Sequence, residues 1–170
     1  MKVMKSVILA ACGAATFWAG FPAATAAQAP AMVEALVSEP TAEATIAAWQ
    51  EDPARIFAAG DVALSDLLYL ARPVVVFADT PRDPAFSQQM ALLQDRIEDL
   101  AVRDVIVLVD TDPGAESALR EVLRPRGFAL TLIDKDGRIA QRKPSPWSVR
   151  EITHAIDKMP LRQQEINEAR

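Results

Sequence analysis

The chain has 170 residues, with 18 basic and 23 acidic side chains, a net charge of -5, one histidine and one cysteine. The acidic balance argues against a nucleic-acid partner, and a single thiol excludes an intramolecular disulfide.

Residues 1–26 have the layout of a cleavable export signal: Lys2 and Lys5, an uncharged apolar stretch from Val7 to Phe21, then small residues ending in Ala24-Thr25-Ala26. Cleavage near Ala26 removes Lys2, Lys5 and Cys12 and leaves a periplasmic or secreted protein of about 144 residues, enough for one domain and too few for two. That product has no thiol and no transmembrane span. An alternative address is set by Leu9-Ala10-Ala11-Cys12, which resembles the box preceding a lipidated cysteine; against it, the residues after Cys12 stay apolar where a lipid-anchored tether turns polar.

Residues 27–63 are alanine-rich and broken by prolines, and they predict a linker that becomes a helical arm, with short helices at 32–37, 45–50 and 53–59. Asp52-Pro53 has the form of a helix start and Gly60 of a stop. Trp49 and Phe57 are expected to cover one edge of the main domain.

The regular domain is expected over residues 64–160. Residues 73–78 form a β-branched apolar run, the mark of a strand covered on both faces. Met90, Leu93, Ile97 and Leu100 recur at helical spacing, and residues 104–109 give a second buried strand. Asp112-Pro113 predicts the cap of another helix with Ala115, Leu119, Val122 and Leu123 on its apolar side. Residues 128–133 and 138–142 flank Asp134-Lys135-Asp136-Gly137 as a hairpin. Ser148 and Glu151 predict a capping box, with Trp147 and Ile152 as a hydrophobic staple, for a closing helix that Pro160 ends. Residues 161–170 are then a C-terminal tail.

The resulting order, β-α-β-α-β-β-α, predicts a thioredoxin-like three-layer α/β fold with an N-terminal helical arm. The chain from about Leu64 to Ile166 resembles an uncharacterised thioredoxin-like domain family of secreted bacterial proteins. That family is shared with vertebrate sushi-repeat and equarin proteins and is sometimes called the P-DUDES group. The residues carrying the resemblance are Arg72 before the first strand, Asp83-Pro84, Lys135-Asp136-Gly137, and the terminal stretch containing Met159, Pro160, Arg162 and Glu165. The resemblance implies the fold and a likeness to peroxiredoxins; it implies no activity.

In thiol enzymes of this fold the nucleophile stands where the first strand gives way to its helix, since unpaired N–H groups and the helix dipole favour a thiolate there. The matching loop, Asp79 to Pro84, contains no cysteine, and Gly127-Phe128-Ala129 lacks the substrate-presenting proline. Neither thiol oxidoreductase nor peroxidase chemistry is expected, and Thr80 has no neighbouring base to activate it. What the loop offers is Thr80, Arg82 and Asp83 beside a helix N-terminus, a candidate site for a small anion or a partner's carboxylate. A capped, solvated turn explains the same residues.

Asp134 and Asp136 resemble a fragment of a calcium loop, yet the twelfth position is Ser145 rather than glutamate. Asp110, Asp112 and Glu121 have a similar outer spacing, with Ala115 where glycine is required. No metal or cofactor is expected. His154 reads as a rim residue, and Arg138, Arg142 and Lys143 with Arg162 offer a basic patch, which on a net acidic chain reads as solvated charges rather than a site. The leading expectation is a non-catalytic binding or structural module, with an unknown envelope protein or a small anion as partner and with the arm or tail as possible contact segments. The alternative is an enzyme of non-thiol chemistry at the Asp79 to Pro84 loop.

Overall fold

The computed structural model describes residues 41–60 and 62–170. The expected signal, Cys12 and the helix expected at 32–37 lie outside the described residues.

Two apolar runs form the centre of the sheet. Strand β2, Arg72–Phe77, is buried at every position and pairs in parallel with β3, Val105–Asp110, from Arg72 opposite Val105 to Phe77 opposite Asp110. Successive side chains leave opposite faces of a strand, so uninterrupted burial demands cover on both sides. Strand β4, Ala129–Ile133, lies antiparallel to β2 and turns back into β5, Ile139–Lys143. A short strand β1, Ile56–Ala58, runs parallel to β3 on its outer side, giving the order β1-β3-β2-β4-β5.

Helices α1, Ala42–Glu51, and α4, Ala118–Leu123, cover one face, where Trp49, Leu119 and Leu123 join Val75, Phe77 and Ile106. Helices α2, Pro84–Asp95, α3, Glu98–Ala101, and α5, Val149–Ile156, cover the other, where Leu93, Leu100 and Ile152 join Val74, Val76 and Leu130. The expected β-α-β-α-β-β-α order and thioredoxin-like three-layer fold are therefore present. The capping box is present too, with Ser148 Oγ accepting from Glu151 N–H and the Glu151 carboxylate accepting from Ser148 N–H. Gly137 closes the hairpin at φ +82°, and a Cβ there would stand 2.8 Å from Leu68 Cδ2, so only glycine fits without displacing a neighbour.

Several boundaries differ from the sequence-based expectation. Residues 53–59 are not a helix: Asp52 ends α1, its carboxylate accepts from Ala54 N–H, and the chain then enters β1. The described part of the expected arm, residues 41–60, therefore belongs to the domain through α1 and β1. Trp49 is buried and its indole N–H donates to Val105 C=O at 3.0 Å, which is the edge-covering role expected of it. The helix expected through Ile97 and Leu100 is broken at Arg96, where φ is -144°, and Arg96 pairs with Asp99 instead of continuing the ladder. Asp112 caps only a 3₁₀ turn, Pro113–Ala115; α4 has its own cap in Ser117, and Val122 faces solvent. Pro160 does not end the last helix but begins another, α6, Pro160–Glu168, because the first helical position needs no N–H donor. The expected tail is thus largely helical.

Candidate functional site

The C-terminal ends of β2 and β3 and the start of β4 meet at one end of the sheet. The turn after β2 places Asp79, Thr80 and Arg82 in solvent. Asp83 is the N-cap of α2: its Oδ1 accepts from Ala85 N–H at 2.7 Å and Phe86 N–H at 3.2 Å. Thr80 C=O accepts from Asp83 N–H, and Thr80 Oγ1 accepts from Arg82 N–H at 3.4 Å. The three predicted site residues are therefore together in a turn whose polar groups serve mainly to start a helix. Asp79 also approaches Gly127: a Cβ on Gly127 would lie 3.9 Å from Asp79 Oδ2. The turn after β2 and the residues before β4 are therefore adjacent.

Beside this turn is a cluster the sequence did not single out. Asp110, the last residue of β3, is buried and receives Arg120 Nη2 at 2.8 Å and the Ser117 hydroxyl. Arg120 also donates to Ala78 C=O at 3.1 Å and lies over the Phe77 ring, 5.4 Å from its centroid. Burial raises the Asp110 pKa, but the Arg120 and Ser117 hydrogen bonds outweigh it and hold the carboxyl below its ordinary range. Every charge in this cluster has a partner, so it fastens α4 to the ends of β2 and β3. Asp112 accepts from Gly114 N–H, and Glu121 is exposed, so the calcium-like spacing of these residues is used for capping and surface. Among the described residues no group of three or more His, Cys, Asp or Glu is placed to hold a metal.

Next to the start of β4 lies a cleft of about 180 Å³, between the loop after α4 and the end of β5, lined by Arg124, Arg126, Phe128, Thr131, Arg142 and Lys143 among others. The Asp79 to Pro84 turn does not line it.

The opposite end of the sheet carries the residues on which the family resemblance rests. Arg72 is completely buried; its Nε donates to Asp134 at 3.1 Å, Nη1 to Arg103 C=O at 3.1 Å and Nη2 to Glu165 at 2.9 Å. Lys135 bridges Asp104 at 2.7 Å and Glu165 at 3.0 Å, and Arg162 reaches Glu165 at 3.1 Å. Arg103 grips Asp157 with two bonds of 2.8 and 2.9 Å, and Arg162 Nε lies 4.0 Å from the same carboxylate. Four cations meet four carboxylates, so the network is neutral and has no charge left for a ligand. Arg162 is therefore a clamp residue rather than part of a basic surface, and Arg138 pairs with Asp136 on the hairpin turn.

Burial pushes the Glu165 carboxyl up, but hydrogen bonds from Arg72, Lys135 and Arg162 dominate and set its pKa at about 2, against an ordinary 4.5. A carboxyl depressed in the folded state stabilises fully above its unfolded pKa and loses that contribution as pH falls through the folded one. Thermal melts are accordingly expected to fall progressively as pH drops from about 4.5 towards about 2. A Glu165→Gln chain should melt lower at neutral pH and show a shallower acid limb. An unchanged acid limb in that variant would assign the acid sensitivity to other carboxylates.

A family model described as Domain of unknown function (DUF4174) matches residues 63–165, well over half of the chain. The chain belongs to this family. The DUF4174 match begins after β1 and ends on Glu165, the residue that receives Arg72. Among solved structures, the chain is similar to a reduced Plasmodium vivax 2-Cys peroxiredoxin, at 14% identity and a TM-score of 0.48, over 60% of this chain and 83% of that one. It is also similar to Plasmodium yoelii thioredoxin peroxidase I, at 19% identity and a TM-score of 0.42, over 60% and 79%. The DUF4174 residues that the sequence marked as distinctive, Arg72, Lys135, Arg162 and Glu165, converge on the neutral clamp. Missed in the sequence were Ser117 and Arg120 as the partners of Asp110, whose i, i+7, i+10 spacing bridges a strand and a helix and matches no local pattern, and the cleft cations Arg124 and Arg126.

Proposed function

We propose that this DUF4174 chain is an exported, non-catalytic binding module on a thioredoxin-like frame. The observation that carries this reading is the turn after β2: it stands where a thiol enzyme places its nucleophile, holds none, and spends its carboxylate on capping α2. Residues 41–170 contain no cysteine at all. Further support comes from the charged groups. Among the described residues, the carboxylates with displaced pKa values, Asp110, Glu151, Asp157 and Glu165, are held low, as fixed anions rather than proton donors poised near neutrality.

Export through the signal over residues 1–26, with cleavage near Ala26, belongs to the same proposal, as does kinship with the sushi-repeat and equarin domains. The partner is an envelope protein or a small anion, and the Thr80, Arg82 and Asp83 turn is one place where an anion would sit. The test is turnover: insulin reduction and peroxide consumption by the exported protein are expected to be blank, and sustained turnover in either assay would overturn the reading. Intact mass of the exported product, expected to begin near Ala27, checks the address; a lipid-bearing Cys12 would replace it with the membrane-anchored alternative.

A further inference from the structure

We infer that the cleft between the loop after α4 and the end of β5 is a binding site for an oxyanion of the phosphate or sulfate type. This inference rests on the binding-module reading and names its ligand chemistry. Arg124, Arg126, Arg142 and Lys143 line the cleft, and among the described residues none of them makes an ion pair. The chain carries more acidic than basic side chains, and it neutralises the clamp at the far end of the sheet charge for charge. Three guanidiniums, Arg124, Arg126 and Arg142, left at the cleft without an ion-paired carboxylate therefore repel one another until an anion enters.

The cleft is partly organised in advance. Arg142 Nη1 donates to Leu123 C=O at 2.7 Å, which anchors the guanidinium at the C-terminal end of α4 and leaves its other donors free of protein partners. Lys143, the next residue of β5, leaves the opposite face of the sheet towards the Trp147 ring, 4.2 Å from its centroid, and the Glu151 carboxylate, so it is not counted among the ligand-binding groups. Glu121, exposed on α4, makes no ion pair with the three arginines. A volume of about 180 Å³ suits a single tetrahedral oxyanion with part of whatever bears it, and guanidinium forks match such oxygens two at a time. Phe128, Pro125 and Pro144 supply an apolar wall that weakens competition from water.

The test is an amide-resolved NMR titration of the full chain with inorganic phosphate and, separately, phenyl phosphate, at constant ionic strength with chloride as the balancing anion. Saturable shifts at Gly127, Phe128 and Ala129 are expected with both phosphates and not with chloride. Tighter binding of phenyl phosphate marks an esterified group as the natural source, and equal binding marks the free ion. Arg126→Gln and Arg142→Gln should each weaken binding about tenfold, whereas Arg138→Gln, which removes an exposed charge outside the cleft, should not. Equal melting temperatures show that the variants remain folded. The inference is overturned if phosphate shifts do not saturate, if chloride reproduces them, if they map to Thr80 to Asp83 and vanish in Arg82→Gln, or if only a polyglutamate peptide produces them. A blank titration leaves the non-catalytic reading intact, while turnover in the thiol assays would remove that reading without touching the cleft.

Discussion

Replacing Arg72 by methionine is expected to cost about 3–5 kcal/mol of folding stability, the cost of breaking a buried ion pair from one side. Methionine fills much of the volume, so the loss is not chiefly a cavity. It comes from Asp134, buried with Arg72, and from Glu165 and the Arg103 carbonyl, all of which lose a charged donor at 2.9 to 3.1 Å. On a domain with roughly 5–15 kcal/mol in total, that is a large fraction. The urea midpoint measures it. Adding Asp134→Leu to Arg72→Met should recover part of the loss, because an apolar replacement for both partners leaves fewer unpaired charges. Ending the chain at Met159 removes Glu165 and should reproduce much of the single variant's defect. A cost below about 1 kcal/mol for Arg72→Met, the range of exposed pairs, would show that the clamp is not structural.

Trp49→Ala is expected to cost a similar amount, about 3–5 kcal/mol, as for other buried tryptophans cut to alanine. Trp49 is 6% exposed, packs in the same cluster as Phe57 and Ile106, and donates to the Val105 carbonyl. Trp49→Phe keeps most of the contact and loses the hydrogen bond, so a cost of about 1 kcal/mol is expected. Urea unfolding of both variants separates packing from hydrogen bonding. Near-neutral results for both would mean that α1 merely rests on the domain. The same reasoning predicts that a fragment cut to the family boundaries, residues 63–165, is markedly less stable than the longer chain, since it lacks α1 and β1.

The parts of the fold legible in the sequence were those written in short-range pattern. Val74-Val75-Val76 and Val105-Ile106-Val107 announce buried strands because β-branched side chains without polar interruption suit only a sheet covered on both faces. Ser148 and Glu151 announce a helix start because the capping box is a local hydrogen-bond pair. Strand β1 was hidden for the opposite reason: Ile56, Phe57 and Ala58 sit among alanines that favour helix, and only the unpaired edge of β3 makes them a strand. Helix α6 was hidden because its residues bury no continuous apolar stripe; it is held through Arg162 and Glu165 to partners far away in sequence. That Asp79 to Pro84 contains no cysteine was legible from the sequence alone. The cleft was not, because Arg124 and Arg126 follow one element while Arg142 lies at the end of another, and only the pairing of β4 with β5, Thr131 opposite Arg142, brings them together.

The bond from Arg72 to Glu165 spans 93 positions of sequence, and that distance has a temporal meaning. A chain emerging from its N-terminus has Arg72 available early, with neither of its carboxylate partners present until Asp134 and then Glu165 have followed. Until then the β2 strand end carries an uncompensated guanidinium that resists burial. The Arg72 guanidinium therefore gains its full set of partners only once the last helix has been made.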